Sequence, residues 1–190
     1  DSFLDILARH SPLLEPDSLG SAYLDVAGSR TLFGDGPRIA AEIVSRVSEQ
    51  LGFRAMVGCA SSKLLAKAAS TAPGNSSVAI IKSGAEAAFL APLPLNTLDV
   101  ITPKIEKRLT ELGVSTLGEL ASVPERLLMR QFGTLGNVIS RQSKGMDCSR
   151  VRAAYPPDII IAEHAFDTPI REPAEMDQQL AAMAQEAVLK

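Results

Sequence analysis

The chain has no tryptophan, two cysteines and two histidines, and aromatic residues make up only 4% of it. So few flat side chains leave little for single-strand recognition by base stacking, which needs repeated aromatic platforms. Cys59 and Cys148 stand 89 positions apart without a second pair. That spacing excludes a zinc ribbon or a paired-cysteine redox motif and leaves reduced thiols in a cytoplasmic protein as the plain reading. His10 and His164 are too isolated in sequence to nominate a metal site and read as surface or packing residues. No apolar run approaches the roughly eighteen residues that a membrane-spanning helix needs. Asp1 opens a polar, helix-like segment rather than a basic and then apolar leader, so no secretory signal is expected.

What the chain does have is apolar bulk and unevenly divided charge. Its 190 residues are 46% hydrophobic, enough for one or two modest cores. The net charge of −3 hides a split. Residues 126–152 carry Arg126, Arg130, Arg141, Lys144, Arg150 and Arg152 against Asp147 alone, a local balance of +5. Residues 153–190 carry two cations against seven acids, a balance of −5. A basic stretch in a mildly acidic chain fits local phosphate contact, and equally fits a solvated helix face.

Hydrophobic spacing orders the chain. Phe3, Leu4, Ile6 and Leu7 suit one helical face, so residues 1–10 read as the end of a helix. Residues 13–15 and 18–26 read as strands, with Gly28 as a turn signal and Glu15-Pro16 as a bend. Ile39, Ile43, Val44, Val47 and Leu51 form a helical stripe that Gly52 stops. A strand over 53–60 follows, with Cys59 in the core, then a helix over 61–71 capped by Ser61-Ser62. A strand over 78–82 after the Ala72-Pro73-Gly74-Asn75 break completes a strand-rich sheet with helices on one face.

From Leu95 the pattern is helical. Thr102-Pro103 starts a helix that Gly113 closes, and Pro124 sets the next start at Glu125. Gly133-Thr134-Leu135-Gly136 reads as a turn before a helix over about 137–144, whose free amides and dipole favour a phosphate, aided by Arg141 and Lys144. Pro156-Pro157 marks a linker, 159–166 a strand and 175–189 a helix.

Three blocks in order carry a family resemblance. Residues 11–26, SPLLEPDSLGSAYLDV, resemble the palm strand on which Y-family (DinB/UmuC-like) translesion DNA polymerases hold two catalytic carboxylates, with Gly20 and Ser21 in their place. Residues 58–70, GCASSKLLAKAAS, are similar to the segment where a family lysine contacts the incoming triphosphate, and Lys63 falls on that lysine. Residues 109–123, LTELGVSTLGELASV, followed by Phe132-Gly133, Gly136, Gly145 and Asp147, resemble the helical thumb that grips duplex DNA. The lost acidic pair, with APLPL at 91–95 and Tyr155-Pro156-Pro157, most resembles the ImuB-like, non-catalytic branch.

The resemblance implies an α+β fold. A partial palm over 1–95 has a β-sheet with helices, a small all-helical thumb covers 96–153, and the first strand and helix of a little-finger domain cover 154–190. It implies that the family's first palm strand, with a further metal-binding Asp, and the fingers lie upstream of Asp1. It also implies a catalytically silent DNA-repair accessory protein in SOS mutagenesis, partnered by DNA, a sliding clamp and an error-prone replicative-type polymerase. DNA or phosphate contact then falls to Lys63, Gly133, Gly136, Arg141 and Lys144, while Thr97–Ile101 lacks the glycine of the family's first phosphate-binding hairpin.

No cofactor is expected, because glycine offers no ligand and serine only a neutral hydroxyl, whereas paired Mg²⁺ ions need carboxylates. Alternation puts Glu15, Asp17, Leu19, Ser21, Tyr23 and Asp25 on one strand face. An active nucleotidyltransferase using displaced Asp17 or Asp25 with Mg²⁺ is therefore one alternative, and a protein-docking module without DNA binding is another.

Overall fold

The computed structural model describes residues 2–72, 74, 77–155 and 173–188. The chain divides into two compact units, Asp1–Ala153 and Ala154–Lys190. The second is described by one helix, α10, Pro173–Val188, which starts two residues ahead of the predicted 175. The linker at Pro156-Pro157, the strand at 159–166 and His164 lie outside the described residues.

The first unit opens with α1, Phe3–Ala8, whose start is fixed by a capping box in which Ser2 and Asp5 satisfy each other's backbone amides. Strands β1, Leu14–Ser18, and β2, Ser21–Leu24, form an antiparallel hairpin. The prediction differs here in two ways. Glu15-Pro16 is part of β1 rather than a bend, because Glu15 pairs across to Tyr23. The expected continuous strand over 18–26 is broken at Leu19-Gly20, where Gly20 takes φ +76°, a left-handed conformation that turns the chain back.

A single 3₁₀ turn and the short helix α2, Arg30–Phe33, lead to α3, Gly36–Leu51. The Asp35 side chain accepts the Arg38 N–H at its start, and left-handed Gly52 ends it as predicted. Ile39, Ile43 and Val47, four apart, bury one stripe. Strand β3, Val57–Cys59, pairs in parallel with β4, Val78–Ile80, joined by α4, Lys63–Thr71, for which Ser62 is the cap. Both strands are shorter than expected, since ladder bonding reaches only those three residues of each. Among the described residues the strands form two separate two-stranded sheets, not one.

The remainder is helical: α5, Glu86–Leu90; α6, Pro103–Glu111; α7, Leu117–Ser122; α8, Glu125–Phe132; α9, Thr134–Ser143. Two of these, α5 and α7, are too short to show a periodic stripe, although the Thr116/Glu119 capping box marks the start of α7. One apolar cluster runs from Leu65 and Ala69 on α4 through Leu90, Leu98, Leu109, Leu117 and Leu120 to Leu128 and Ile139. It ties the helical part to the sheet side as one packed body.

Candidate functional site

The β1–β2 hairpin brings the residues in question to one place. Gly20 stands at its tip, with open space where a side chain would project. Ser21 begins β2. Neither can offset the repulsion between two closely spaced divalent cations.

The nearby acids already have partners. Glu15 Oε1 lies 2.7 Å from Lys63 Nζ, and Oε2 accepts the Arg152 backbone N–H at 2.8 Å. The Lys63 hydrogen bond, helped by Arg152, holds the Glu15 carboxyl below its ordinary range. Lys63 Nζ also sits 4.6 Å above the Tyr23 ring, a cation–π contact. Asp17 lies 3.4 Å from Lys67, which bonds more closely to Asp99 at 2.8 Å. Asp25 Oδ1 accepts the Ala27 N–H at 2.9 Å and shapes the turn after β2. The residues at the hairpin therefore do not fit a two-cation site, and among the described residues no three His, Cys, Asp or Glu side chains gather to hold a metal ion.

Sequence reasoning missed how Asp147 is used. Its carboxylate accepts the Leu64 N–H at 3.1 Å, in the first turn of α4, and two bonds from Ser149 at 2.9 and 2.7 Å. Burial pushes this carboxyl up, but the Ser149 and Leu64 bonds outweigh it and hold it below its ordinary value. A partner 83 positions away leaves no local signal. Asp17, Tyr23, Lys63, Lys67, Asp99 and Asp147 thus line a cleft of about 250 Å³. With three carboxylates against two ammoniums, the cleft is a poor anion trap.

The basic residues lie on exposed surface. Arg126 and Arg130 are one turn apart on α8, and neither forms an ion pair among the described residues. Arg141 donates weakly to Cys148 Sγ at 3.5 Å, and Lys144 to Ser140 Oγ at 3.3 Å. Gly133 does precede a helix, at φ +62°. Gly136 does not: α9 starts at Thr134, so Gly136 is a buried residue of its first turn. A Cβ there would lie 2.3 Å from the Leu128 backbone. Gly136 is accounted for by the close approach of α8 and α9.

The other singled-out residues are structural. His10 is buried, with Nδ1 3.1 Å from the Ile6 carbonyl, Nε2 3.5 Å from Glu42 and its ring against Phe33. Cys59 is only half-buried rather than core, and burial raises its thiol pKa; Cys148 is exposed.

Residues 1–71 match the IMS family model, described as impB/mucB/samB. A protein named DNA polymerase IV from Dehalococcoides mccartyi is 34% identical over 97% of this chain and 47% of its own length. One from Yersinia pseudotuberculosis is 34% identical over 86% of this chain and 48% of its own. The chain spans about half the length of the curated relatives it matches. Among solved structures, a ternary complex of Dbh superposes with TM-score 0.75 at 21% identity, over 98% of this chain and 56% of that one. DinB from Sulfolobus solfataricus gives 0.67 at 24% identity, over 78% and 44%. The family match over residues 1–71 and the relatives support a Y-family DNA polymerase-like chain, with a mixed helix-and-sheet fold like that of the solved structures.

Proposed function

We propose that this chain is the palm and thumb of an ImuB-like, catalytically silent Y-family protein that contributes DNA contact and protein docking to damage-induced mutagenic synthesis. In this reading residues 1–95 are the partial palm, 96–153 the thumb and 154–190 the start of the little finger. The observation that carries it is Gly20-Ser21 at the hairpin tip, beside carboxylates already held by Lys63, Lys67 and backbone amides. Lys63, matched by resemblance to the family's triphosphate lysine, is paired with Glu15 at 2.7 Å. DNA contact rests on the exposed Arg126, Arg130, Arg141 and Lys144, with Gly133 at the helix start. The family resemblance adds a sliding clamp, an error-prone replicative-type polymerase, the SOS response and a cytoplasmic setting.

A second reading, an active nucleotidyltransferase with displaced carboxylates and Mg²⁺, is favoured by the polymerase IV names of the curated relatives. Calorimetric titration with Mn²⁺ separates the two. The silent palm gives no saturable uptake; saturable uptake that Asp17→Ala abolishes supports the enzyme.

A further inference from the structure

Lys63 and Lys67, one turn apart on α4, hold their acids differently. The Lys63 and Glu15 side chains are largely covered, 18% and 21% exposed. Lys67 is 36% exposed, and its partners Asp17 and Asp99 are 32% and 74% exposed. The first pair is built into the fold, whereas ion pairs as open as the second add little to stability. Folding alone therefore does not account for two carboxylates on one open ammonium.

Local structure aims both acids. Asp17 is the extra residue of a bulge in β1, skipped between the Pro16–Ala22 and Ser18–Ser21 pairs, and a bulge re-aims the side chain it carries. Asp99 stands in a tight turn in which the Ile101 N–H donates to the Leu98 carbonyl at 2.8 Å. Leu98 and Ile101 are buried and anchor that turn, while Asp99 stays on its outer side. The Asp99 hydrogen bond raises the Lys67 pKa above its ordinary value, so the ammonium stays charged between the two acids. The cleft they line also takes Gln142, and thus borders α9, the helix that carries Arg141. A phosphate approaching Lys67 meets the carboxylates first.

We propose that Asp17 and Asp99 form a carboxylate gate over Lys67, filling the place of a phosphate and keeping the DNA backbone out of the cleft. The chain's hold on duplex DNA is thereby confined to the exposed cations of α8 and α9. The gate rests on the DNA-contact reading above. Losing two acids also shifts the net charge, so the decisive readout is whether Lys67 matters only once the gate is gone.

The test is a mutant cycle in the natural full-length protein: Asp17→Asn with Asp99→Asn, Lys67→Met, and all three together. Binding to a short duplex is followed by fluorescence anisotropy across a range of salt. Opening the gate is expected to tighten binding about tenfold at low salt and to steepen the log–log salt dependence by about 0.9, one further phosphate neutralised. Lys67→Met is expected to cancel both gains and to have little effect while the gate is intact. An unchanged slope on opening the gate, or an equal effect of Lys67→Met in both backgrounds, overturns the proposal. If neither form binds duplex, the DNA reading fails, and calorimetry with inorganic tripolyphosphate decides the gate by itself. Uptake by the double Asn variant that Lys67→Met removes supports it; no uptake overturns it. Asp99→Asn alone, in an exposed turn, takes the place of the pair if the double variant loses its helical circular dichroism.

Discussion

Gly20 and Gly136 look alike in sequence, and packing gives them different tolerances. At Gly136 an added methyl meets the Leu128 backbone at 2.3 Å, so α8 and α9 must part to admit it. Gly136→Ala is expected to destabilise the fold by about 1–3 kcal/mol, the usual cost of overpacking, seen as a lower urea midpoint. At Gly20 nothing lies within 4 Å of the added atom, and the cost of a side chain is the left-handed backbone, about 1–2 kcal/mol. The hairpin tip thus has room for a carboxylate, and its absence is not a packing demand. Sequence alone reached the substituted pair, because the SLGSAYLD run is informative by itself. It placed Gly136 ahead of the helix instead of inside its first turn, because a G-x-x-G turn and a glycine that lets two helices touch are identical until the neighbouring helix is placed.

At the scale of elements, α4 is anchored at its first turn by carboxylates from distant segments. Glu15 grips Lys63 and Asp147 grips the Leu64 amide. Both carboxyls are held below their ordinary values of 4.5 and 3.8. They protonate more readily in the unfolded chain, so their contribution is full above about pH 4.5 and is lost as pH falls through the lowered native values. Urea midpoints should be level from neutral pH down to that point and then fall. Glu15→Gln should be less stable at neutral pH and show a shallower acid decline. Long periodic helices such as α3 were legible, and so were the starts at Ser62, Pro103 and Glu125. The hairpin was not, because Glu15-Pro16 is a local bend signal that pairing with Tyr23 overrides. The α4 anchors were not either, since they depend on residues 48 and 83 positions away.

For the whole molecule, the divided charge has a measurable consequence. Exposed Arg126, Arg130, Arg141 and Lys144 supply positive charge that the net −3 conceals. Replacing all four with alanine should weaken duplex DNA binding and flatten its dependence on salt by about 0.9 in log–log slope for each phosphate no longer neutralised. An unchanged slope would favour a docking module without DNA binding. The family was legible from three ordered blocks, whereas the division of the described strands into two separate sheets emerged only from their pairing. The most direct test of the silent palm is primer extension by the natural full-length protein with Mg²⁺ and all four deoxynucleotides. A silent palm gives no template-directed incorporation; incorporation that Asp17→Ala abolishes would contradict it.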